Sequence, residues 1–348
     1  MIDYSNSTLD EVSAHKVGNK NNGEDLIISK HRLDISDKSV ETLLHKFFLN
    51  QFKSEEYFNF TFSNEDFTMN PIYKYCKDVF EGMGDFHLNS INIAKHLYET
   101  SNHPNIKDGD LFVAFFSRLM VDYKEVKAIG IFKSESKQSF LKLDTSGKDF
   151  QMVSDEGMKL DKPDKGCLVI QDEEDKGYKV CIIDRTNRSE EALFWKDNFL
   201  MICPRKDEYH QTTDFLDIAR QFVTKALPEN FEVNKSDQID LLNRSMEYFK
   251  TRDTFDKEEF EQEVFQDESV IELFKRFDQT YREENKIEME DSFDINLSAV
   301  KKQNRVYKSI LKLDRNFHIY IHGNKELIVP GVEKDGRKYY KIYYEQEN

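Results

Sequence analysis

A run of basic side chains between residues 301 and 315 is the sequence pattern with the clearest chemical meaning. Lys301, Lys302 and Arg305 can share one face of a short helix, because their spacings are three and four residues. Lys308 and Lys312 are four residues apart on the strand predicted next, so their side chains project from the same face of that strand. Phosphate groups of duplex DNA require positive charges at repeated intervals, which such a stripe supplies. The candidate DNA-binding residues are Lys301, Lys302, Arg305, Lys308, Lys312 and Arg315.

The balance of charge changes sharply at residue 296. Residues 251–295 contain six Lys or Arg and sixteen Asp or Glu, a balance of −10, whereas residues 296–348 contain eleven and six, a balance of +5. An alternative interpretation of the basic run is therefore a solvated face that neutralises the neighbouring acidic helices within the molecule. The sequence alone slightly favours this alternative.

A second basic segment, residues 337–344, interleaves tyrosines with lysine and arginine. Exposed aromatic rings between cations can stack on nucleobases. A half-buried edge strand is the more common structure for such a segment, and it is the interpretation that we favour here.

A metal-dependent nuclease site is a weaker possibility on two central strands. Asp110 begins the first strand, and Glu125 and Lys127 form a Glu-x-Lys tripeptide on the next. Such a set could bind Mg²⁺ and position a water molecule for phosphodiester cleavage. Glu-x-Lys is common in any charged chain, and a cross-strand ion pair is the favoured interpretation.

Other candidate sites lack the residue spacing that a metal ion or a known catalytic motif requires. His318 and His322 would lie roughly 13 Å apart on a strand, too far to chelate one metal ion. Asp172–Asp175 has the charge of a calcium loop without its alternating ligands, which favours a solvated hairpin tip. The sequence contains no GxxxxGK[ST], GxGxxG or GxSxG motif and no CxxC pair. We therefore predict no catalytic residue, no metal site and no cofactor.

Composition limits the function further. The chain has 348 residues and a formal net charge of −16, so it cannot coat nucleic acid by bulk attraction, and any DNA contact must use a local basic surface. No apolar run approaches the length of a membrane span, and the acidic, polar N-terminus is unlike a signal peptide. Four widely spaced cysteines are typical of reduced, mostly buried thiols in a cytosolic protein.

Hydrophobic periodicity predicts helices and strands in separate blocks, which is typical of an α+β fold. An N-terminal region combines helices at 72–81 and 86–100 with a mainly antiparallel meander between residues 110 and 185. A central helical block follows, with Thr254 as a helix N-cap and Pro228 as a helix end. A small antiparallel sheet completes the chain. The predicted domains are 1–188, 189–295 and 296–348.

The order of several passages resembles the bacterial nucleoid-associated protein family of about 37 kDa. The similarity covers nearly the whole chain, and WKDNFL with DEYHQTTDFLDIARQFV resembles its members from Bacteroidetes. The passages that carry the resemblance are VSAHKVGNK, VETLLHKFFLNQF, GDLFVAFFSRLMVDYKEVKAIGIFKSES, YKVCIIDRTNRSEEALFWKDNFL, DEYHQTTDFLDIARQFV and SFDINLSAVKKQNRVYKSILKLDRNFHIYIHG.

This resemblance implies a cytoplasmic, nucleoid-localised protein that binds double-stranded DNA and is not an enzyme. It supplies no catalytic residues, and it leaves homo-oligomer formation open. A second hypothesis is an acidic adaptor, in which residues 251–295 bind a basic DNA-handling protein and the association with the nucleoid is indirect. The negative net charge is the observation that motivates this alternative.

Overall fold

The computed structural model describes residues 2–52, 55–63, 66–146, 149–184, 194–307, 310–321 and 327–346. The chain divides into an N-terminal unit, Met1–Arg205, and a C-terminal unit, Lys206–Asn348. Helices and antiparallel strands occur in largely separate blocks, which confirms the predicted α+β class. Among the described helices, none is long and apolar enough to cross a bilayer. The three-domain division stays a prediction.

An antiparallel sheet of nine strands organises the N-terminal unit. The strands of this unit are β1 Ile2–Asp3, β2 Thr8–Val17, β3 Leu26–Ile27, β4 Phe58–Phe60, β5 Gly109–Val121, β6 Lys124–Ser134, β7 Lys137–Asp144, β8 Gln151–Met158, β9 Lys165–Ile170, β10 Lys179–Asp184 and β11 Ile202–Pro204. In the sheet the order is β11-β4-β10-β9-β6-β5-β2-β3, and β1 pairs with the end of β5.

The middle of each central strand is apolar because both faces of the sheet are covered there. On β5, Leu111 and Val113 belong to one buried cluster, and Phe112 and Phe116 belong to another. Successive side chains of a strand point to opposite faces, so the two clusters lie on the two sides of the sheet. Burying each of these large side chains contributes about 1.5–3 kcal/mol.

Three helices of the N-terminal unit cover the two faces of the sheet, and each begins at a side chain that accepts a hydrogen bond from a first-turn amide. Asp37, Asn70 and Asp85 are these N-caps. The second and third helices confirm the predictions for 72–81 and 86–100 to within one residue. The helices are α1 Lys38–Leu49, α2 Pro71–Phe80 and α3 Phe86–Thr100.

The predicted meander is antiparallel, but one of its hairpins leaves the sheet. Strands β7 and β8 pair only with each other, and β6 pairs directly with β9. The side chains of this separate hairpin are mostly exposed, including Leu141 and Met152. Its polar and apolar residues alternate too weakly along the strands to indicate from sequence whether the pair lies inside the sheet.

The C-terminal unit contains the predicted helical block from residue 206 onward, whereas a π-helical segment at Phe194–Leu200 belongs to the N-terminal unit. Its helices are α4 Glu208–Gln221, α5 Leu227–Asn230, α6 Lys235–Thr251, α7 Lys257–Phe260, α8 Glu268–Asn285 and α9 Leu297–Gln303. A π-helical segment, Phe222–Ala226, joins α4 to α5, and the helix therefore continues past Pro228 to Asn230. The prediction that Pro228 ends the helix is wrong, because proline is tolerated in the first turn of α5.

The N-cap of α7 also differs from the prediction. Asp256 accepts a hydrogen bond from the amide of Glu259 at 2.9 Å, and it is the capping residue. Thr254 lies on a short strand instead. Both residue types favour N-cap positions, so pattern alone could not separate them.

Phenylalanines form the core of the C-terminal unit. The ring of Phe215 lies 4.2 Å from that of Phe255 and 4.9 Å from that of Phe260, measured between centroids, and all three side chains are fully buried. Tilted and edge-on contacts of this kind add to the free energy of burial. This cluster holds helices α4, α6 and α8 together.

Three two-stranded pairs complete the unit, and the last two confirm the predicted small C-terminal antiparallel strands. The strands are β12 Thr254–Asp256, β13 Ser292–Asp294, β14 Ile310–Leu313, β15 Phe317–Tyr320, β16 Ile328–Val332 and β17 Lys338–Ile342. β12 pairs with β13, β14 with β15 and β16 with β17. Leu311 and Ile328 pack with Ile239 of α6 in a small cluster that anchors the last two hairpins.

Candidate nucleic-acid interface

The short helix α9 holds two of the candidate cations at its C-terminal end. Asn296 caps the helix by accepting hydrogen bonds from the amides of the second and third helical residues, each at 3.0 Å. Ala299 and Val300 are buried, which fixes the opposite face of the helix. Lys301 and Lys302 are therefore exposed in the last turn, where a positive charge interacts favourably with the helix dipole.

A buried tyrosine fixes the turn that follows α9. The hydroxyl group of Tyr307 donates a hydrogen bond to the carbonyl oxygen of Leu216, and the ring is buried. This anchor lies two residues after Arg305, whose side chain is exposed. The turn thus presents the guanidinium group to solvent beside the end of the helix.

The β14–β15 hairpin presents the next candidates. Lys312 pairs with His318 across the two strands, and both side chains are exposed. On the opposite face of the hairpin, Leu311 is buried, and Leu313 and Ile319 are partly buried. Arg315 is exposed in the turn between the strands, after Asp314, which has a φ of 51°. Lys312, Arg315 and His318 therefore lie on the outer face and at the tip of one hairpin.

Ion pairing distinguishes these cations from those of the acidic segment. Within the described residues, no carboxylate lies at ion-pair distance from Lys301, Arg305, Lys312 or Arg315. By contrast, Asp278 is buried between Lys257 Nζ and Arg282 Nε, at 2.5 and 2.7 Å. These four cations therefore do not neutralise the acidic helices through direct ion pairs with the described residues. Lys308 lies outside the described residues.

Lys302 is in a different environment from its neighbours. Its Nζ atom lies 5.7 Å from the centroid of the Tyr209 ring, within the range of a cation–π contact. Tyr209 is itself buried. The position of the Lys302 ammonium group is therefore restricted by a partner on helix α4.

The structure separates the residues of the nuclease hypothesis. Asp110 pairs with Ser134, whereas Glu125 pairs with Met120 at the other end of the same two strands. Ten residues along a strand correspond to roughly 33 Å. Asp110 and Glu125 cannot share a metal ion, and this hypothesis is wrong. Nor do His, Cys, Asp or Glu residues form a group of three or more that could hold a metal ion in the described part of the chain.

The acidic turn at residues 172–175 is the tip of the β9–β10 hairpin; Glu174 and Asp175 are exposed as predicted, whereas Asp172 and Glu173 are half-buried in an ion-pair network. Glu173 accepts hydrogen bonds from Arg205 Nη2 at 2.6 Å and Lys176 Nζ at 3.1 Å, and Lys179 contacts both Glu173 and Asp172. Partial burial raises the pKa of Glu173, but these hydrogen bonds hold it at about 2. Lysines and an arginine thus occupy the oxygens that a calcium ion would need.

Two exposed residues of the β14–β15 hairpin were not among the candidate DNA-binding residues. His318 and Tyr320 share the outer face with Lys312, and 62% of the Tyr320 side chain is accessible. The signal that could have found them is strand parity, because 318 and 320 pair with 312 and 310 in an antiparallel hairpin with a three-residue turn. His322 lies outside the described residues.

Comparison with known protein families gives one result. The family described as nucleoid-associated protein YejK matches residues 13–336, which is most of the chain. No curated protein sequence matches the chain.

Proposed function

Because the chain belongs to the nucleoid-associated protein YejK family, we propose that it binds double-stranded DNA directly and without catalysis. The contact surface is the C-terminal basic surface, defined as Lys301, Lys302, Arg305, Lys308, Lys312 and Arg315. DNA is the negatively charged polymer of the nucleoid, and its phosphate groups are the part that cations contact irrespective of base sequence.

The observation that carries this proposal is a set of exposed cations without an internal counter-ion. Lys301, Arg305, Lys312 and Arg315 are exposed, and no ion pair holds them within the part of the chain that the structure describes. An unpaired surface cation gains more from a phosphate group than a cation that must first leave a carboxylate. In a chain with a net charge of −16, such a local surface restricts DNA to one face.

The second candidate function is the acidic adaptor. Helix α8 carries exposed glutamates on several turns, and they support attraction to a basic protein partner. In this case the partner contacts DNA and the chain associates with the nucleoid through it. The exposed glutamates of α8 are Glu268, Glu272, Glu283 and Glu284.

Neutralising the basic surface tests the first candidate. Replacing Lys301, Arg305, Lys312 and Arg315 with glutamine should weaken duplex binding and reduce the salt dependence of log K by about 0.9 for each phosphate group that is no longer neutralised. The matched control replaces four exposed lysines of the N-terminal unit that form ion pairs, so that the net charge changes equally. The control lysines are Lys20, Lys38, Lys159 and Lys176.

Three outcomes separate the candidates. Loss of binding in the basic-surface variant with retention in the control supports direct binding through this surface. Equal loss in both variants would mean that only net charge matters and would contradict the site. The adaptor is the correct function if the wild-type chain binds no duplex but does bind a basic DNA-handling protein. Charge reversal on α8 should then abolish the binding of that protein to the chain.

A further inference from the structure

A cavity between the β16–β17 hairpin and the start of helix α6 has a chemistry unlike that of the rest of the acidic chain. Its volume is about 570 Å³, within the range of small-ligand sites. The charged side chains that line it, among the described residues, are Lys235 and Lys338. Tyr339 and Tyr340 also line it.

Tyr339 supplies an accessible aromatic surface at this cavity. Its side chain is 44% exposed although it lies on a strand. The ring lies across Gly331 on the paired strand, where a Cβ atom would come within 2.2 Å of the ring atom Cζ. Glycine at 331 therefore allows the ring to lie close to the strand backbone, next to Pro330.

The two lysines place positive charge at the same cavity. Lys235 is exposed, and its Nζ atom donates a hydrogen bond to Gln238 Oε1 at 2.8 Å. Lys338 is exposed and precedes the tyrosine. Neither lysine forms an ion pair with a described carboxylate. The lining of the cavity thus combines two tyrosine rings, two cations and two neutral amide side chains, with no carboxylate among the described residues.

From this combination we infer that the cavity binds single-stranded DNA, with an unpaired base against Tyr339 and the adjoining phosphates near Lys235 and Lys338. Aromatic stacking and backbone charge neutralisation are the two interactions that bind single strands irrespective of sequence. In a duplex the bases are already stacked on each other, so the ring selects unpaired nucleotides. This inference rests on the proposed function, since it specifies a second form of DNA for the same protein.

The experiment measures fluorescence anisotropy of a labelled single-stranded oligothymidylate with the full chain. Excess unlabelled duplex is present to occupy the C-terminal basic surface. Tyr339→Ala should weaken single-strand binding about five- to a hundredfold, and Tyr339→Phe should retain it. Tyr344→Ala is the matched control, because Tyr344 is 68% exposed in the same segment and does not line the cavity.

A second variant and a second readout distinguish loss of the binding site from unfolding of the chain. Gly331→Ala displaces the Tyr339 ring without removing it, and it should also weaken binding. Photocrosslinking of an oligonucleotide that contains 4-thiothymidine should label residues 338–340. Equal affinities for wild type and Tyr339→Ala, equal loss in Tyr344→Ala, or crosslinks confined to residues 301–315 would overturn the inference.

Duplex affinity is measured separately for each variant. If wild type binds duplex but not oligothymidylate, the single-strand inference fails and the proposed function stands. If wild type binds neither form of DNA, both fail. Competition by free thymidine monophosphate as strong as that by oligothymidylate would identify a nucleotide pocket and would also overturn the inference.

Discussion

The ammonium group of Lys302 lies over the ring of Tyr209, with Nζ 5.7 Å from the ring centroid. The preceding lysine, Lys301, has no aromatic ring beneath it among the described residues. Two adjacent cations of the C-terminal basic surface therefore differ in their contacts with the fold. One is free to follow a phosphate group, and the other contributes to the packing of helix α9 on helix α4.

Substitution of each lysine separately should reveal this difference. Lys302→Gln should lower the free energy of unfolding by about 0.5–1 kcal/mol because it removes the cation–π contact. Lys301→Gln should leave the stability nearly unchanged. Both should weaken duplex binding. Chemical denaturation of the two variants measures the first effect, and equal stabilities would show that the contact with Tyr209 contributes nothing.

Acidification should destabilise the N-terminal unit through His15. This side chain is buried, and its Nδ1 atom accepts a hydrogen bond from the amide of Ser29 at 3.3 Å, so the ring is neutral. Burial, and then the neighbouring His87, lower the pKa of His15 from 6.5 to about 4. Because the unfolded chain binds the proton first, stability falls by up to about 1.4 kcal/mol per pH unit between these values.

Comparison with a variant isolates this contribution. His15→Gln should lose stability at neutral pH but show a shallower decline between pH 6.5 and about 4. His31→Gln is the control, because His31 is exposed and should follow the wild-type curve. Parallel curves for wild type and His15→Gln would exclude His15 as the titrating group.

Thiol reactivity should differ strongly among the four cysteines. Cys76, Cys167 and Cys181 are buried, and burial raises the pKa of each thiol, whereas Cys203 is exposed. A maleimide should therefore modify one cysteine in the folded chain and all four after denaturation. Mass spectrometry counts the adducts, and Cys203→Ser should abolish native labelling. Rapid labelling of a second cysteine would contradict this packing.

The phenylalanine core should be the largest single source of stability in the C-terminal unit. Phe215→Ala should cost about 3–5 kcal/mol, because a fully buried ring leaves a cavity among other rings. Phe317→Ala removes the same atoms from a side chain that is 63% exposed, and it should cost far less. Urea titrations of both variants give the comparison. Similar costs would mean that this core is not close-packed.

Much of the helical structure follows from local patterns in the sequence. Apolar residues at three- and four-residue spacing predict the helices at 72–81 and 86–100, and the observed bounds agree to within one residue. These predictions succeed because the signal and the element occupy the same residues. The π-helical geometry of Phe222–Ala226 was not predicted, because the sequence has no local signal for it.

Which candidate residues lie close together depends on the register of the paired strands, and composition does not determine that register. The separation of Asp110 from Glu125 follows from a two-residue turn at Asp122-Tyr123, where both residues have positive φ. Tyrosine rarely adopts this conformation, so the sequence gives no strong turn signal. The basic residues were identifiable from charge alone. The absence of ion pairs at Lys301, Arg305, Lys312 and Arg315 within the described residues, and the exposure of Tyr320, were not, because they depend on tertiary contacts.

Salt dependence of duplex binding by the wild-type chain tests direct DNA contact most directly. Fluorescence anisotropy of a labelled duplex, titrated at several salt concentrations without divalent metal, gives the slope of log K against log salt. Direct contact through the C-terminal basic surface predicts saturable binding with a slope of about −0.9 per phosphate contact, and hence near −4 to −5 for four to six cations. No binding at low salt, or binding whose affinity does not change with salt, would contradict direct contact.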